Sequence, residues 1–270
     1  MENRILQAYE NRPKNLLYRL VVGALLVGLI AWSATAATDA TGGAASGGQI
    51  AVSILSGIFH PDMELLLNFT DEGVLYLMLE TVCIAFLGTV VGAILSIPFS
   101  LISASNLMPK PIAFVGRMCI MAIRTVPSLV YALMFVRVSG MGPFAGLMTM
   151  ALSSIGMVSK MYIEAIEDMD VKILEALEAA GCTTFQKVRY GILPQLIPSF
   201  ASTAIYRFDI NLRDATVLGL VGAGGYGAPL IFAMNAYRWN EAGAILAGLI
   251  ILVLAVEFIS TRIRVKLARG

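Results

Sequence analysis

Charge is scarce in this chain. Asp, Glu, Lys and Arg make up 14% of its 270 residues, with one histidine and three cysteines. Soluble domains carry about 25% charged residues, and a chain that is 58% hydrophobic has too little polar surface to cover itself in water. Lipid must solvate much of it, in keeping with a mean hydropathy of +0.80. The histidine, His60, precedes Pro61 in a polar connection with no Ser/Asp or metal set beside it, which argues against a catalytic base. Cys83, Cys119 and Cys182 lack metal-site spacing. The first two fall in apolar runs and are expected to be buried free thiols. No G-x-x-x-x-G-K-[ST] phosphate loop occurs. No catalytic residue, metal or cofactor is therefore expected in this chain, and a net charge of +1 gives nucleic acid nothing to hold.

What the chain does have is long apolar runs. At about 20 apolar residues per crossing, its length suits an all-α, polytopic transmembrane bundle of about six spans and leaves no room for a soluble catalytic domain. Span one is Leu20 to about Ala37. It ends in Ala34-Thr35-Ala36, which is also compatible with signal cleavage, but the long polar stretch before it favours a retained helix. Residues 38–50 read as a flexible Gly/Ala/Ser/Thr linker. Ile50–Phe59 follows, and then a short interfacial helix opened by Pro61-Asp62. The spacing predicts span two over about 74–102, span three over 112–138 with a kink or break at Pro127, and span four over 144–161. Span five is expected over 194–220 and span six over 242–263. Residues 1–72 thus form an N-terminal helix, external linker and interfacial helix, and 73–270 the core.

Lys and Arg are missing altogether between Leu20 and Pro109, where Asp39, Asp62, Glu64, Asp71 and Glu72 stand instead. Lys110, Lys160, Lys172, Lys187 and Arg189 fall on loops that six spans place on the side of both termini. The positive-inside rule makes that side cytoplasmic.

The segment 160–194 is the most charged and amphipathic part of the core. Val171, Leu174 and Leu177 make one helical stripe, with Glu175 and Glu178 away from it. Gly181 suits a left-handed helix end. Thr183 and Gln186 have capping-box spacing, so a second helix is expected through Phe185, Val188 and Ile192, with Pro194 at the entry to span five. Periodicity alone allows either a loop folded on the membrane or a handle for a partner.

This segment resembles the "EAA" loop of binding-protein-dependent ABC importer permeases: Glu-Ala-Ala, three residues, Gly, nine residues, Ile, one residue, Leu-Pro. Glu175, Ala176, Gly181, Leu193 and Pro194 fall on the pattern. Leu177 replaces the second alanine, and Gly191 stands where isoleucine is expected. Gly142-Pro143-Phe144-Ala145-Gly146, Tyr206-Arg207-Phe208 and Val221-Gly222-Ala223-Gly224-Gly225 are similar to the phosphonate branch, the PhnE-like permeases. The resemblance implies a type I importer permease in a prokaryotic inner membrane. It would pair with a second, identical permease chain and two cytoplasmic PhnC-like ATPase subunits that supply the ATP and Mg sites. A PhnD-like external binding protein would deliver the ligand. Leu174, Glu175, Ala176, Leu177, Glu178, Gly181, Leu193 and Pro194 would couple to the ATPase. Phosphite, another phosphorus oxyanion or an unrelated small solute remain alternative cargoes. An ion-coupled secondary transporter would want internal repeats, and none is visible. A membrane enzyme would want His/Asp/Glu or Cys clusters that are missing.

Two further features invite chemistry. Gly222, Gly224 and Gly227 fit G-x-G-x-x-G, but a nucleotide fingerprint needs a βαβ unit. With Gly225 they read as close packing or an external gate. Span five carries Arg207, Asp209, Arg213 and Asp214. Asp209 and Arg213, four apart, can pair on one helix face. Either a structural ion-pair network tied to Arg124 of span three or a transient oxyanion contact would account for charges placed there.

Overall fold

The computed structural model describes residues 16–40, 44–70 and 73–268, and among them every regular element is helical. The chain divides into two compact units, residues 1–53 and 54–270. In the first lies α1 (Leu16–Ala40), whose apolar stretch is Leu20–Ser33. The end of α1 and the next helix, α2 (Ala44–Phe59), correct the expected flexible linker over 38–40 and 44–50, while its residues 41–43 lie outside the described residues. Glycine and serine weaken a helix without forbidding it, and the apolar turn beyond Ile50 extends back over them. A short helix, α3 (Met63–Leu67), is capped by Asp62, whose side chain accepts from the Glu64 and Leu65 N–H groups.

In the second unit, three helices among the described residues are long and apolar enough to cross a membrane: α4 (Val74–Ser103), α7 (Pro143–Glu167) and α12 (Trp239–Ala268). Between them the expected span three is two helices, α5 (Lys110–Thr125) and α6 (Ser128–Ser139), bent by 82°. Together they count as one broken crossing at most. Pro127 breaks the helix from both sides. It has no N–H to donate, and it drives Val126 out of the helical region, to φ −87°, ψ 122°. The 27-residue α10 (Leu193–Gly219) has the length to cross, but it carries the span-five charges. Between α7 and α10 lies the helix α8 (Val171–Ala179), and α11 (Gly227–Asn235) joins α10 to α12.

The packing is inverted relative to a soluble domain. Phe86, Leu87, Ile94, Leu95 and Phe99 of α4 are exposed, whereas Gly88, Thr89, Gly92, Ala93, Ser96 and Ser100 are buried. The buried set recurs every three or four residues and lies against α7. A Cβ on Gly92 would stand 2.8 Å from the Ala151 carbonyl oxygen and 2.5 Å from Ser154 Cβ. Apolar side chains gain nothing by leaving lipid for the interior, so helices associate through small residues that let backbones approach. The same physics corrects the expectation for the thiols. Cys83 and Cys119 are exposed, because in a lipid-solvated helix an apolar run marks the outward face.

Candidate functional site

The segment after α7 forms a two-armed loop. Asp170 opens α8 by accepting the Lys172 N–H at 3.0 Å. Leu174 is buried among Tyr162, Ile166, Ile192 and Phe200, which fastens the helix to the bundle. Glu175, Ala176 and Glu178 are exposed. The helix ends at Gly181, φ +78°. There Gly181 N–H donates to Glu178 O at 2.9 Å and Cys182 N–H to Leu177 O at 3.0 Å, the paired bonds of a Schellman ending. Thr183 and Gln186 then close the capping box, with Thr183 N–H on Gln186 Oε1 at 2.7 Å and Gln186 N–H on Thr183 Oγ1 at 3.4 Å.

The second arm is not the separate helix expected from the sequence. A single turn, α9 (Thr184–Gln186), passes through a π-helical turn at Lys187–Ile192 straight into α10. Pro194 has no N–H for the Tyr190 carbonyl, and its ring would crowd that oxygen in a normal α-turn. The ladder widens instead, and Leu193 N–H donates to Val188 O, the five-residue spacing of a π-bulge. Leu193 is half-buried and Pro194 exposed. Gly191 is buried, and a Cβ there would lie 2.6 Å from Leu177 Cδ1. The two departures from the EAA pattern therefore face each other. The larger residue at 177 fills the space that the missing side chain at 191 leaves. Lys187 Nζ joins the arms by an ion pair to Glu178 at 2.8 Å, and that hydrogen bond, with its charge, holds the Glu178 carboxyl below the usual glutamate range. Val171, Phe185 and Tyr190 stay 52%, 72% and 65% exposed, so the loop presents apolar side chains beside Glu175 and Ala176.

The span-five charges are held by their neighbours. Arg207, 5% exposed, donates to Ser154 Oγ at 3.1 Å, Ser153 Oγ at 2.9 Å and Met157 Sδ at 3.3 Å, with Asp214 at 4.0 Å. Asn211, fully buried, donates to Thr89 Oγ1 at 2.8 Å and Ser154 Oγ at 2.9 Å, so α4, α7 and α10 share one polar cluster. Arg213 pairs with buried Asp209 at 2.8 Å and reaches Glu257 of α12 at 3.5 Å. Arg124 takes no part in this, contrary to the expected network. It packs against Gly156 of α7, where a Cβ would come within 2.7 Å of its Cγ. The break at Pro127 turns its helix to α7, not to α10.

At the opposite end of the bundle Gly222, Gly224 and Gly225 all have positive φ. Gly142 N–H donates to Gly222 O at 2.8 Å. A Cβ on Gly225 would meet Thr81 Oγ1 at 2.7 Å, and one on Gly227 the Thr216 carbonyl oxygen at 2.4 Å. The glycine segment is a site of close backbone approach.

Residues 96–270 match the model of one protein family, described as "Binding-protein-dependent transport system inner membrane component". The chain belongs to this family. It is 37% identical over 188 residues to the phosphite transport system permease protein PtxC of Stutzerimonas stutzeri, covering 69% of this chain and 68% of that one. It is 36% identical over 189 residues to the phosphate-import permease protein PhnE of Mycolicibacterium smegmatis, covering 70% of this chain but 36% of the mycobacterial protein. A solved inward-facing conformation of the MetNI methionine ABC transporter superposes with a TM-score of 0.62 over 72% of this chain and 95% of that one. At 22% identity that likeness shows the fold alone.

Asn211 and Glu257 stand out in the sequence as polar residues within spans, but their partners in this permease had no readable signal. Asn211, Thr89 and Ser154 meet only when three helices pack, and Glu257 reaches Arg213 from 44 residues away. Tyr226, inside the glycine segment, is fully buried. A large aromatic among four glycines was the one available hint that the segment folds inward.

Proposed function

We propose that this chain is the pathway-forming permease subunit of an ATP-driven importer for a phosphorus oxyanion, phosphonate or phosphite. It works as two copies with two ATPase subunits and an external binding protein, and both termini lie in the cytoplasm with the 170–192 loop. The observation that carries the reading is the loop itself. Its first arm opens on an Asp170 cap, its second on a capping box, and the two are cross-tied by Lys187–Glu178, yet Glu175, Phe185 and Tyr190 are exposed, with the Arg189 guanidinium beside the Tyr190 ring. A rigid handle with an open face suits a groove on an ATPase. Chemistry stays on that partner, which would supply the ATP and Mg sites.

The continuity of the second arm with α10 supplies the transmission. When nucleotide draws the ATPases together, a push on Phe185 or Tyr190 passes through the π-turn along α10, a rod of about 40 Å at 1.5 Å per residue. It arrives at Arg207, whose bonds to Ser153 and Ser154 carry it to α7. Rigid elements that pivot about packed contacts are a common route to alternating states. The ion pair from Arg213 of α10 to Glu257 of α12 would make such a push move the two helices together.

The test is uptake of phosphite and methylphosphonate by cells that carry this chain as their sole candidate permease, with affinity purification of the complex. Uptake with a co-purifying ATPase supports the proposal. Uptake by the chain alone, without an ATPase, would replace it with a secondary transporter.

A further inference from the structure

The arginines of the bundle differ in how fully they are engaged. Arg207 and Arg213 are held as described above. Arg117 donates to the Ser103 carbonyl at 3.0 Å and to the Glu167 carboxylate. Arg124 has no hydrogen bond or ion pair among the described residues. Arg137, which also has none, lies in the last turn of α6 at the end of the bundle near Gly140. Arg124 instead sits against Gly156, near the middle of the 25-residue α7. Arg124 is exposed in the single chain, and an ionisable side chain placed along a membrane-crossing helix faces protein or a water-filled path and marks function in most membrane bundles.

Arg124 opens on a cleft of about 350 Å³ between α5 and α7, lined also by Arg117, Lys160, Glu164 and Glu167. Arg117 pairs with Glu167, and Lys160 with Glu164 at 3.3 Å. Three cations against two carboxylates leave one positive charge, that of Arg124, unspent. Its helix ends one residue later, and the 82° break follows. Discontinuous helices at mid-depth are where transport proteins build ion and substrate contacts. A cation in the last turn also suits the negative end of α5. A lysine would serve that purpose equally, however, and the purpose gives no reason for a charged cleft.

We propose that the α5–α7 cleft, which runs from Arg124 to the cytoplasmic end of α7, is a waystation for the transported oxyanion, with Arg124 as its direct contact. The inference rests on the phosphorus-oxyanion reading above. A guanidinium offers two parallel N–H groups that match two oxygens of a tetrahedral oxyanion. Lys160 stands one turn of α7 from Gly156 and supplies a second, exchangeable cation. Glu164 and Glu167 hold the net charge of the cleft at a single positive unit, which lets the anion leave as readily as it enters.

Wild-type, Arg124→Gln and Arg124→Lys permeases are reconstituted with the ATPase and binding protein in phosphatidylcholine vesicles, and uptake of phosphite and methylphosphonate is compared with ATP hydrolysis. Arg124→Gln should lower uptake of both ions by about tenfold or more, the worth of one charge-assisted contact, at unchanged complex yield. Arg124→Lys should keep part of the uptake but shift the ratio between the two ions. Wild-type uptake in Arg124→Gln overturns the inference. If that variant does not assemble, an Arg124→Lys complex with the wild-type rate and ratio overturns it. The lipid phosphate is the rival source of the same chemistry. Phosphatidylglycerol retained by wild type and lost by Arg124→Gln in native mass spectrometry, with equal uptake by both, also overturns it. A wild-type complex that imports neither ion removes the substrate reading and this inference together, whereas a deficit confined to the Arg124 variants supports both.

Discussion

Gly181 and Gly191 are both required for the loop, for opposite reasons. At Gly181 nothing stands within 4 Å of a Cβ, but φ is +78°, so the constraint is backbone conformation. Valine there would cost about 1–2 kcal/mol or more and splay the arms. Gly181→Val is expected to depress uptake while leaving membrane insertion intact, and wild-type uptake would count against the loop as the ATPase handle. At Gly191 the constraint is space, since Leu177 Cδ1 fills it. Gly191→Ile alone should displace Leu177 and lower both thermal stability and uptake. Leu177→Ala alone should cost about 2 kcal/mol or less, given that the leucine is half-buried. The double variant, which returns both positions to the EAA pattern, should recover, and a double-mutant cycle measures the coupling; purely additive losses would refute the pairing. Glu178 has its carboxyl pKa depressed by Lys187. A depressed acid contributes stability above its unfolded value and loses it as pH falls through the folded one. The Lys187 tie therefore persists at neutral pH, and the melting difference between wild type and Glu178→Gln should vanish only on acidification below the usual glutamate range.

Among the elements, the α4–α7 seam sets how closely the bundle packs. Gly88 and Gly92 of α4 face Met150, Ala151 and Ser154 of α7, and the neighbour at Gly92 is backbone, which cannot yield. Gly92→Leu is expected to cost about 1–3 kcal/mol or more through overpacking, read as a lower melting temperature in detergent, whereas Leu79→Met, at an exposed position of the same helix, should change little. The small-residue spacing along α4 lies in the sequence, although span two is read there only as an apolar run. Its partner helix was not legible, because Gly, Ala and Ser recur in several spans and only packing selects among them. The broken span at Pro127 was visible, since proline chemistry is local. The 82° bend was not, because its size depends on what α6 packs against. The π-turn went unread for a similar reason. Pro194 announced a disturbed ladder, but a helix start and a bulge look alike until the flanking turns are placed.

At the scale of the whole molecule, charge inside the bundle binds helices to each other. Asp209 is 4% exposed and depends on Arg213, with Glu257 of α12 completing the group. Arg213→Ala would strand a buried carboxylate. Its cost should fall toward the lower end of the roughly 3–5 kcal/mol that breaking buried pairs exacts, since Arg213 itself is half exposed. The expected outcome is a lower yield of folded permease with an unchanged ratio of phosphite to methylphosphonate uptake. An altered ratio at normal yield would move this group from structure to pathway. The pair Asp209–Arg213 could be read from four-residue spacing alone. Glu257 and the Asn211–Thr89–Ser154 cluster could not, because their members lie far apart along the chain.

By itself the sequence determined that this protein is a lipid-solvated helical bundle with a capped, glycine-ended loop, and it carried the EAA resemblance. Hydropathy, capping and proline geometry act over a few residues and need no fold to be felt. Only the tertiary structure decided that Leu177 and Gly191 are one exchange, that Arg207 is engaged and Arg124 is not, and that the thiols of Cys83 and Cys119 face outward. Each of those depends on which helix lies opposite. In a bilayer, where apolar surface gains nothing by burial, that choice is made by shape and polar pairing across the bundle.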